Sequence, residues 1–413
     1  MPLFDALASA SLAKITEFLS MELSNTAWAW ADIGVCHGPL LAAISSRLIA
    51  MSAECDMQAL SNTVWACATL LYHDAPLREA IACQALVRRD LGAQNVTTLL
   101  WSFWRLTWSP DAWPIVDRSV GLGVHLDAMG FSYGIMLAEW AKEEDRGDTL
   151  FGLMEQSPCL RLPVQLFALV SRWRGSPISG PASLSQPSHA YNKIAMLLDF
   201  VEVQAEPGDP ASFLRAIEHF GAGLGQWLKV AGDTKAELLE ASMQRRPARR
   251  SEVCAELGTF VGYTAIRLAR WVRGPGPAPG RSVSLEVDAI HVLLTRHHLG
   301  LARLAHAADV WVGQALDLIP RLAEDFGGRG LGLAFMDHRG TKFHSDLHRI
   351  QRVAAAAPGC AHVCDNVLKP GAPACLWAVR AGQRVPGQGS AENWSMNEFA
   401  HWNSEDWMLV NML

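Results

Sequence analysis

The sequence predicts an α/β domain built on a parallel sheet, preceded by an all-α region of helical repeats. Three observations support this prediction. A tryptophan-containing motif recurs within the first 110 residues, strand-like and helical segments alternate beyond residue 252, and a segment rich in Gly, Ser and Pro separates the two patterns. We therefore expect helical repeats over 1–174, a linker over 175–190 and an α/β domain over 191–413.

The N-terminal motif repeats at intervals of 37 and 36 residues. LSNTAWAWADIG, LSNTVWACATLL and VTTLLWSFWRL contain Trp28, Trp65 and Trp101, and each copy has apolar residues at helical spacing. This period suits a two-helix unit that stacks into a solenoid. The copies resemble the helical repeats of organellar octotricopeptide proteins, which implies an RNA or protein partner. Because large aromatic residues between helices usually serve packing, we interpret the tryptophans as core residues.

The charge of the N-terminal region argues against an RNA groove. Residues 1–180 contain 12 Lys and Arg against 18 Asp and Glu, and the whole chain has a net charge of −6. A surface that binds phosphate backbones is normally basic, so we expect a packing or protein-partner surface.

Composition also bears on the compartment. No apolar run approaches the roughly 18 residues that a membrane span needs, so we expect no membrane partner. The nine cysteines fit a reducing compartment. We expect a cytoplasmic protein and leave an organellar location open.

The C-terminal pattern alternates strand-like and helical segments. The strand-like segments are VCAELGT, SVSLEVD, ADVWVG, LGLAFMDH and CAHVCDNV, and each of the first four is followed by a segment with helical spacing. Alternation of this kind predicts a parallel sheet covered on both faces. Ligands of such sheets bind at the carboxyl ends of the strands, which makes the polar residues there the candidate site.

The first two strand ends suggest a nucleoside site. Glu256 and Gly258 lie where the first strand turns into a helix, and such a turn brings backbone amides close to a ligand. Glu286 ends the second strand, where a carboxylate can accept both ribose hydroxyls. A solvated strand-end carboxylate is the alternative for Glu286.

The fourth and fifth strand ends suggest a metal site. Asp337 ends one strand and Asp365 with Asn366 ends the other, so three oxygen ligands meet at the same sheet edge. Mg²⁺ prefers such ligands. Each aspartate alone could equally be a helix N-cap.

Two histidine-containing segments carry weaker signals. Cys360, His362 and Cys364 alternate along one strand and so share a face, as in a zinc site. Because no second ligand pair is near in sequence, we favour packing over metal binding. His297 and His298 lie in a predicted helix, and we expect both at the surface.

Beyond these residues, an extended set of motifs resembles the catechol O-methyltransferase family. EPGDPASFLRAIEHF, WLKVAGDTKAELL, ELGTFVGYTAIRLAR, SLEVD, GQALDLIPRL, FMDH and DNVLKPGAP follow the order and approximate spacing of that family over about 191–400. The resemblance implies a Rossmann-like S-adenosylmethionine-dependent methyltransferase domain that uses Mg²⁺ and a catechol substrate.

The resemblance also implies residue roles. S-adenosylmethionine would contact Glu256, Gly258, Phe260, Tyr263, Thr264, Glu286, Ala315, Asp337 and His338. Mg²⁺ would be held by Asp337, Asp365 and Asn366. The substrate would contact Trp227, Asn366, Pro370 and Glu398, with Glu398 accepting a hydrogen bond from the second catechol hydroxyl.

One departure from the family concerns the catalytic base. Gly340 stands at the position of the family's catalytic lysine, and Arg339 at that of a tryptophan that flanks adenine. Lys342 is the nearest lysine in sequence and is our candidate base. The alternatives are that Lys342 is a solvated loop residue, or that the chain is a repeat-based RNA-associated or scaffold protein with a degenerate methyltransferase domain.

Overall fold

The structure of the chain is a computed structural model. It describes residues 2–107, 109–157, 189–223, 227–245, 252–273, 280–382, 391–398 and 401–413. The chain divides into two compact units, Met1–Leu160 and Arg161–Leu413.

The described part of the first unit is entirely helical. Its helices are α1 Pro2–Lys14, α2 Ser20–Asp32, α3 Gly38–Ala50, α4 Met57–Thr69, α5 Ala75–Val87, α6 Ala93–Arg105, α7 Ser109–Gly121, α8 Ala128–Ala141 and α9 Glu144–Gln156. Several begin at an aspartate that caps the helix. The carboxylates of Asp56, Asp74 and Asp127 accept hydrogen bonds from backbone amides three residues later, at 2.7 to 2.9 Å.

The three motif tryptophans lie on α2, α4 and α6, which pack against one another in that order. The ring centroids of Trp28 and Trp65 are 6.4 Å apart, and those of Trp65 and Trp101 are 6.3 Å apart. Trp101 is buried as expected for a core residue, whereas Trp28 is 47% exposed. The tryptophans therefore form a row that begins at the surface. The likeness to octotricopeptide repeats stays a proposal.

Two predicted segments fall largely outside the described residues. The helix expected at LRLPVQLFALVSRW lies there, and so do residues 175–188 of the predicted linker. The last two linker residues, His189 and Ala190, already belong to the first helix of the second unit.

The second unit begins with helices and continues into an alternating α/β pattern. Its helices are α10 His189–Gln204, α11 Pro210–Gly223, α12 Asp233–Arg245, α13 Tyr263–Val272, α14 Ala289–Leu301, α15 Ala315–Asp325, α16 Phe343–Arg352 and α17 Pro373–Gly382. Its strands are β1 Val253–Leu257, β2 Arg281–Glu286, β3 Ala308–Val312, β4 Leu331–Met336, β5 Ala356–Cys364, β6 Ala391–Glu398 and β7 His401–Met412.

The strands form one sheet in the order β3-β2-β1-β4-β5-β7-β6. Neighbouring strands among β1 to β5 pair in parallel, which confirms the predicted parallel sheet. β7 pairs antiparallel to both β5 and β6, so the sheet is mixed and ends in a hairpin that the sequence analysis missed. The chain reverses its direction of travel across the sheet between β1 and β4, and their carboxyl ends form the crevice in which such folds bind ligands.

Helices cover both faces of the sheet. On one face Leu318 of α15 and Phe343 of α16 are fully buried against β1 and β4. On the other face Leu239 of α12 and Leu268 of α13 are equally buried. Each such side chain contributes roughly 1.5–3 kcal/mol through burial, so the strand ends are held by a packed core on both sides.

His298 departs from the sequence expectation. It lies on α14 as predicted, but its side chain is fully buried, and its Nδ1 is 3.1 Å from the carbonyl oxygen of Val261. The expectation of a surface residue was wrong, because α14 packs this position against the turn after β1. His297 is half-buried and lies 2.7 Å from Glu202.

Within the ranges given above, no helix combines the length and apolar character needed to cross a membrane.

Candidate active site

Glu286 at the end of β2 accepts four backbone hydrogen bonds. One carboxylate oxygen accepts from the amides of Thr259 and Phe260 at 3.2 and 2.9 Å, and the other from Val287 and Asp288 at 2.8 and 3.0 Å. A carboxylate offers about four acceptor sites, so ribose hydroxyls would have to share or replace the bonds from the turn after β1. The residue lies where a nucleoside carboxylate is expected.

Glu256 in β1 is buried and points into the same region. Its carboxylate accepts a hydrogen bond from the Ser284 hydroxyl at 2.5 Å. Burial raises the pKa of Glu256 to about 8, although the hydrogen bonds from Ser284, Thr259 and Thr264 act in the opposite direction. Thr264, which the sequence placed at the cofactor, thus contacts another predicted cofactor residue.

Gly258 allows the turn after β1 to approach β4. Its φ is +92°, and a Cβ there would lie 2.9 Å from the Asp337 carbonyl oxygen and 2.9 Å from the His338 Cβ. A side chain at 258 would therefore be strained and would clash. This contact joins the nucleoside end of the site to the acidic end.

Three other predicted cofactor residues have different surroundings. The Tyr263 hydroxyl hydrogen-bonds Glu218 and accepts from Arg267 at 2.6 Å, so its polar end is engaged by α11 and α13. His338 directs its Nε2 to Asp346 at 2.8 Å. Ala315 is the half-buried first residue of α15.

An aromatic wall stands beside the turn after β1. The Phe260 ring meets Trp227 edge to face at 6.3 Å and His291 at 4.9 Å. Phe220 also meets Trp227 edge to face, at 6.1 Å. Trp227 is thus held next to a predicted cofactor residue, which suits a hydrophobic substrate wall.

Asp337 and Asp365 follow the neighbouring strands β4 and β5. In the part of the chain that the structure describes, no side chain hydrogen-bonds or ion-pairs with the Asp337 carboxylate. Burial, together with the Asp365 carboxylate, raises the pKa of Asp337 well above its usual range. Burial also raises the pKa of Asp365 to about 6, although Lys235 opposes this shift. The two carboxyl groups form a site with excess negative charge.

Lys235 is the cation of this acidic cluster. Its ammonium lies 2.7 Å from Asp365 Oδ1, 3.1 Å from both oxygens of Glu398 and 2.9 Å from Asp406 Oδ2. All four side chains are buried. The cluster therefore contains one cation and three carboxylates, and Asp337 contributes a fourth carboxyl group nearby.

Asn366 is held in a fixed orientation next to Asp365. Its side-chain nitrogen Nδ2 donates to Asp406 at 2.6 Å and to Glu398 at 3.2 Å. This leaves its side-chain carbonyl oxygen Oδ1 free to bind a cation. The structure thus brings together Glu398 and Asn366, two residues for which the resemblance implies contact with the substrate. It pairs both Glu398 oxygens with Lys235, which the sequence did not predict.

The donor set fits a hard divalent cation. Among the residues that the structure describes, the Asp337 carboxylate has no side-chain partner. Asp365 contacts both Lys235 and the backbone amide of Asn366 through Oδ1, which leaves Oδ2 for a cation, and Asn366 offers its side-chain carbonyl oxygen. Oxygen ligands of this kind suit Mg²⁺, and a divalent ion would relieve the crowding of negative charge.

The structure explains why the position of the family lysine is a glycine. Gly340 is buried, and a Cβ there would lie 2.5 Å from the carbonyl oxygen of Gly371 in the turn Val367–Gly371. Lys342 ends the short 3-10 turn Gly340–Lys342 and is exposed, and its side chain pairs with no other described residue. Pro370 is likewise exposed. The structure therefore does not bring Lys342 into contact with the acidic cluster.

Two cluster residues were missed from the sequence. Lys235 lies in WLKVAGDTKAELL, a segment that we used only for the resemblance. Asp406 lies in β7 directly after Glu405 and before the apolar run 407–410, and it is buried. Both residues lie in segments that carry other polar and charged side chains, so no local sequence signal distinguishes them.

The chain is similar in sequence to known O-methyltransferases. Catechol O-methyltransferase of Mus musculus is 29% identical over 201 residues, which span 48% of this chain and 73% of that protein. Catechol O-methyltransferase B of Danio rerio is 30% identical over 184 residues, which span 45% and 67%. The solved structure of an O-methyltransferase from Bacillus cereus with SAH aligns at 20% identity with a TM-score of 0.40, covering 53% of this chain and 97% of that one. No family model matches the chain.

The sheet order, the glycine turn after β1 and the acidic strand ends define a Rossmann-like domain of the S-adenosylmethionine-dependent O-methyltransferase class. Within that class, the chain belongs to the catechol O-methyltransferase family.

Proposed function

We propose that the chain transfers a methyl group from S-adenosylmethionine to one hydroxyl of a catechol, with Mg²⁺ held by Asp337, Asp365 and Asn366. The observation that carries the proposal is the oriented set of oxygen donors at the ends of β4 and β5. Mg²⁺ would lower the pKa of one catechol hydroxyl and orient it.

The chain's own residues would bind and align the two reactants. Glu286 would accept the ribose hydroxyls, and Glu256 and Gly258 would shape the turn beside them. Trp227 and Phe260 would cover the reactants with an apolar wall. Alignment for in-line transfer is worth several kcal/mol in comparable reactions.

Glu398 would accept a hydrogen bond from the second hydroxyl and so select vicinal diols. In the structure both of its oxygens contact Lys235. A substrate hydroxyl would therefore add a partner to an existing ion pair, and Lys235 would hold the carboxylate in place.

The proton of the reacting hydroxyl needs an acceptor. Lys235 is unsuitable, because three carboxylates hold its ammonium in the charged form. Lys342 stays our candidate, on the ground that it is the nearest lysine in sequence to the family's position.

One observation favours a second candidate function. Gly340 has no room for a side chain, and Lys342 is exposed. These features suit a chain whose second unit binds S-adenosylmethionine without turnover and which serves as a scaffold.

A methyl-transfer assay of the full chain tests the proposal. We expect mass spectrometry to detect methylation of catechol but not of phenol or resorcinol, with loss of turnover in EDTA and recovery with Mg²⁺. Asp365→Asn should abolish the activity, and Asp309→Asn, at a partly exposed site on β3, should retain it.

Calorimetric measurement of S-adenosylmethionine binding, combined with the methylation assay, separates the two candidate functions. A chain that binds S-adenosylmethionine but methylates none of the three phenols would support the scaffold. Equal methylation of phenol and catechol in EDTA would contradict the metal-dependent mechanism.

A further inference from the structure

A cluster of soft donor atoms lies behind the acidic strand ends. His362 and Cys364 share one face of β5, and Cys375 reaches them from the first turn of α17. The Cys364 sulfur is 3.2 Å from the His362 Nε2 and 4.0 Å from the Cys375 sulfur. The ligand atoms of all three residues lie within 4.8 Å of one another, and all three residues are fully buried.

A fourth soft donor is present. The thioether sulfur of Met336, the last residue of β4, is 3.3 Å from the His362 Nε2. Met336 is also fully buried. Two thiols, one imidazole and one thioether therefore converge from two strands and a helix.

The spacing of these donors matches a tetrahedral metal site. With zinc bonds of about 2.3 Å to sulfur and about 2.0 Å to nitrogen, tetrahedral ligand atoms lie roughly 3.5–3.8 Å apart. The observed distances of 3.2 and 4.0 Å lie on either side of that range. Small side-chain adjustments would bring the three ligands to one ion.

Packing alone leaves the imidazole poorly satisfied. The His362 Nε2 lies 3.3 Å from the Met336 sulfur and 3.2 Å from the Cys364 sulfur, and both sulfurs are weak hydrogen-bonding groups. A metal ion would give Nε2 a strong partner, whereas the buried Nδ1 has no hydrogen-bond partner among the described residues with or without the ion. The sequence favoured packing because CAHVC lacks a second ligand pair nearby, and the fold supplies the missing ligand from Cys375.

We propose that His362, Cys364 and Cys375 bind a thiophilic d¹⁰ cation, namely Zn²⁺, with Met336 closing the fourth side. Sulfur and imidazole ligands select such ions over Mg²⁺. Two thiolates would neutralise the divalent charge, which makes a fully buried site electrostatically acceptable. The site does not depend on the proposed methyl transfer.

The bound ion would join three elements at a functionally important place. Met336 directly precedes Asp337, and Cys364 directly precedes Asp365. Zinc would therefore tie β4, β5 and α17 together immediately behind two of the proposed magnesium ligands, as a structural site distinct from the acidic cluster.

The metal content of the full chain tests this assignment. Cys36 and Cys83 are exposed and are first replaced by serine, so that surface thiols do not contribute. When this variant is produced with Zn²⁺ and dialysed against EDTA, it should retain about one zinc ion per molecule, because a metal ion at a buried site dissociates slowly. Chain produced with Co²⁺ should show a thiolate-to-cobalt charge-transfer band, which the oxygen ligands of the acidic cluster cannot give.

Matched variants locate the ion. Cys364→Ser and Cys375→Ser should lose the zinc and the cobalt band, whereas Cys254→Ser, on buried β1, should keep both. Cys375→Ala retains an apolar contact, so loss of zinc with an unchanged circular dichroism spectrum would identify a ligand even if the serine variant fails to fold.

Three outcomes would overturn the assignment. The first is a parent chain that retains no zinc and gives no cobalt band. The second is a Cys375→Ala variant that retains as much zinc as the parent. The third is a Cys364–Cys375 disulfide, found by intact-mass analysis, in place of a metal.

Discussion

The Lys235 ammonium forms ion pairs with three carboxylates of the site. Burial lowers the pKa of its ammonium, but Asp365, Glu398 and Asp406 outweigh burial and raise the pKa above its usual range. A buried cation with three anionic partners is costly to lose, because truncation would leave the carboxylates without compensation. Lys235 thus positions Asp365 and Glu398 and does not take up protons.

Lys342 can be tested as the catalytic base by a single substitution. If it accepts the proton, Lys342→Ala should lower kcat by about 10²–10⁴-fold, the usual contribution of general-base catalysis, with unchanged affinity for S-adenosylmethionine. Thr341→Ala is the control, since Thr341 is also exposed and lies in the same turn. A Lys342→Ala variant within twofold of the parent would remove Lys342 from the mechanism.

His298 makes the stability of the second unit sensitive to acid. Burial lowers the pKa of its imidazole to about 4 from about 6.5 in the unfolded chain. Between these values the unfolded state binds the extra proton, so the free energy of unfolding falls as pH falls from 7 to 5, by about 2 kcal/mol from this residue.

Urea unfolding at pH 7 and pH 5 measures the effect. His298→Asn should reduce the pH dependence by about that amount, whatever its effect on stability at pH 7. His344→Gln, at an exposed position of α16, should leave it unchanged. Equal pH dependence in His298→Asn and the parent would show that His298 is not the acid-sensitive group.

At the scale of elements, the turn Val367–Gly371 sets the shape of the loop after β4. It places the Gly371 carbonyl where a side chain at position 340 would begin. Placing the family's lysine at 340 would therefore require the turn to move, so we do not expect Gly340→Lys to improve catalysis.

Gly340→Ala isolates the steric effect. A Cβ at 2.5 Å from a backbone oxygen forces a displacement, and we expect a loss of about 1–3 kcal/mol in the free energy of unfolding. Gly300→Ala is the control, because nothing lies within 4 Å of its Cβ position. Urea denaturation compares the two, and equal stabilities would contradict the tight contact.

Local sequence pattern predicted the parallel strands but not the hairpin. β1 to β4 are short apolar segments bounded by turns, which the alternation rule identifies. β6 and β7 carry polar residues throughout AENWSMNE and NSEDW, because part of their surface is exposed, so the apolar signal is weak.

The site was predictable where its residues follow strands. Asp337, Asp365, Asn366 and Glu286 all lie at or directly after the carboxyl ends of parallel strands, so the sheet places them along the same edge. Lys235 and Asp406 are 171 residues apart in sequence, and only the tertiary placement of β7 beside β5 brings them together.

At the scale of the whole molecule, the question is what the helical first unit binds. Its tryptophan rings lie against one another, with Trp28 half exposed at the start of the row, and residues 1–180 are acidic. Stacking platforms for nucleic acids combine exposed aromatic rings with basic grooves. The charge favours a protein partner.

Filter binding of single-stranded RNA to the full chain tests this view. We expect a dissociation constant weaker than about 1 μM at physiological salt, the range of non-specific binding. Trp28→Ala is the matched variant. A tighter, salt-sensitive affinity that Trp28→Ala reduces would instead establish an RNA surface on the first unit.

The position of β7 within the sheet has a consequence for synthesis. The ribosome makes residues 401–412 after the other six strands of the described sheet. In the folded sheet, however, β7 lies in an interior position between β5 and β6. During translation the five parallel strands can assemble first, and β5 then presents an open edge, while Lys235 lacks its Asp406 partner. The nascent chain therefore exposes the edge of β5 until residues 401–412 have been made, and only then can the acidic cluster assemble around Lys235.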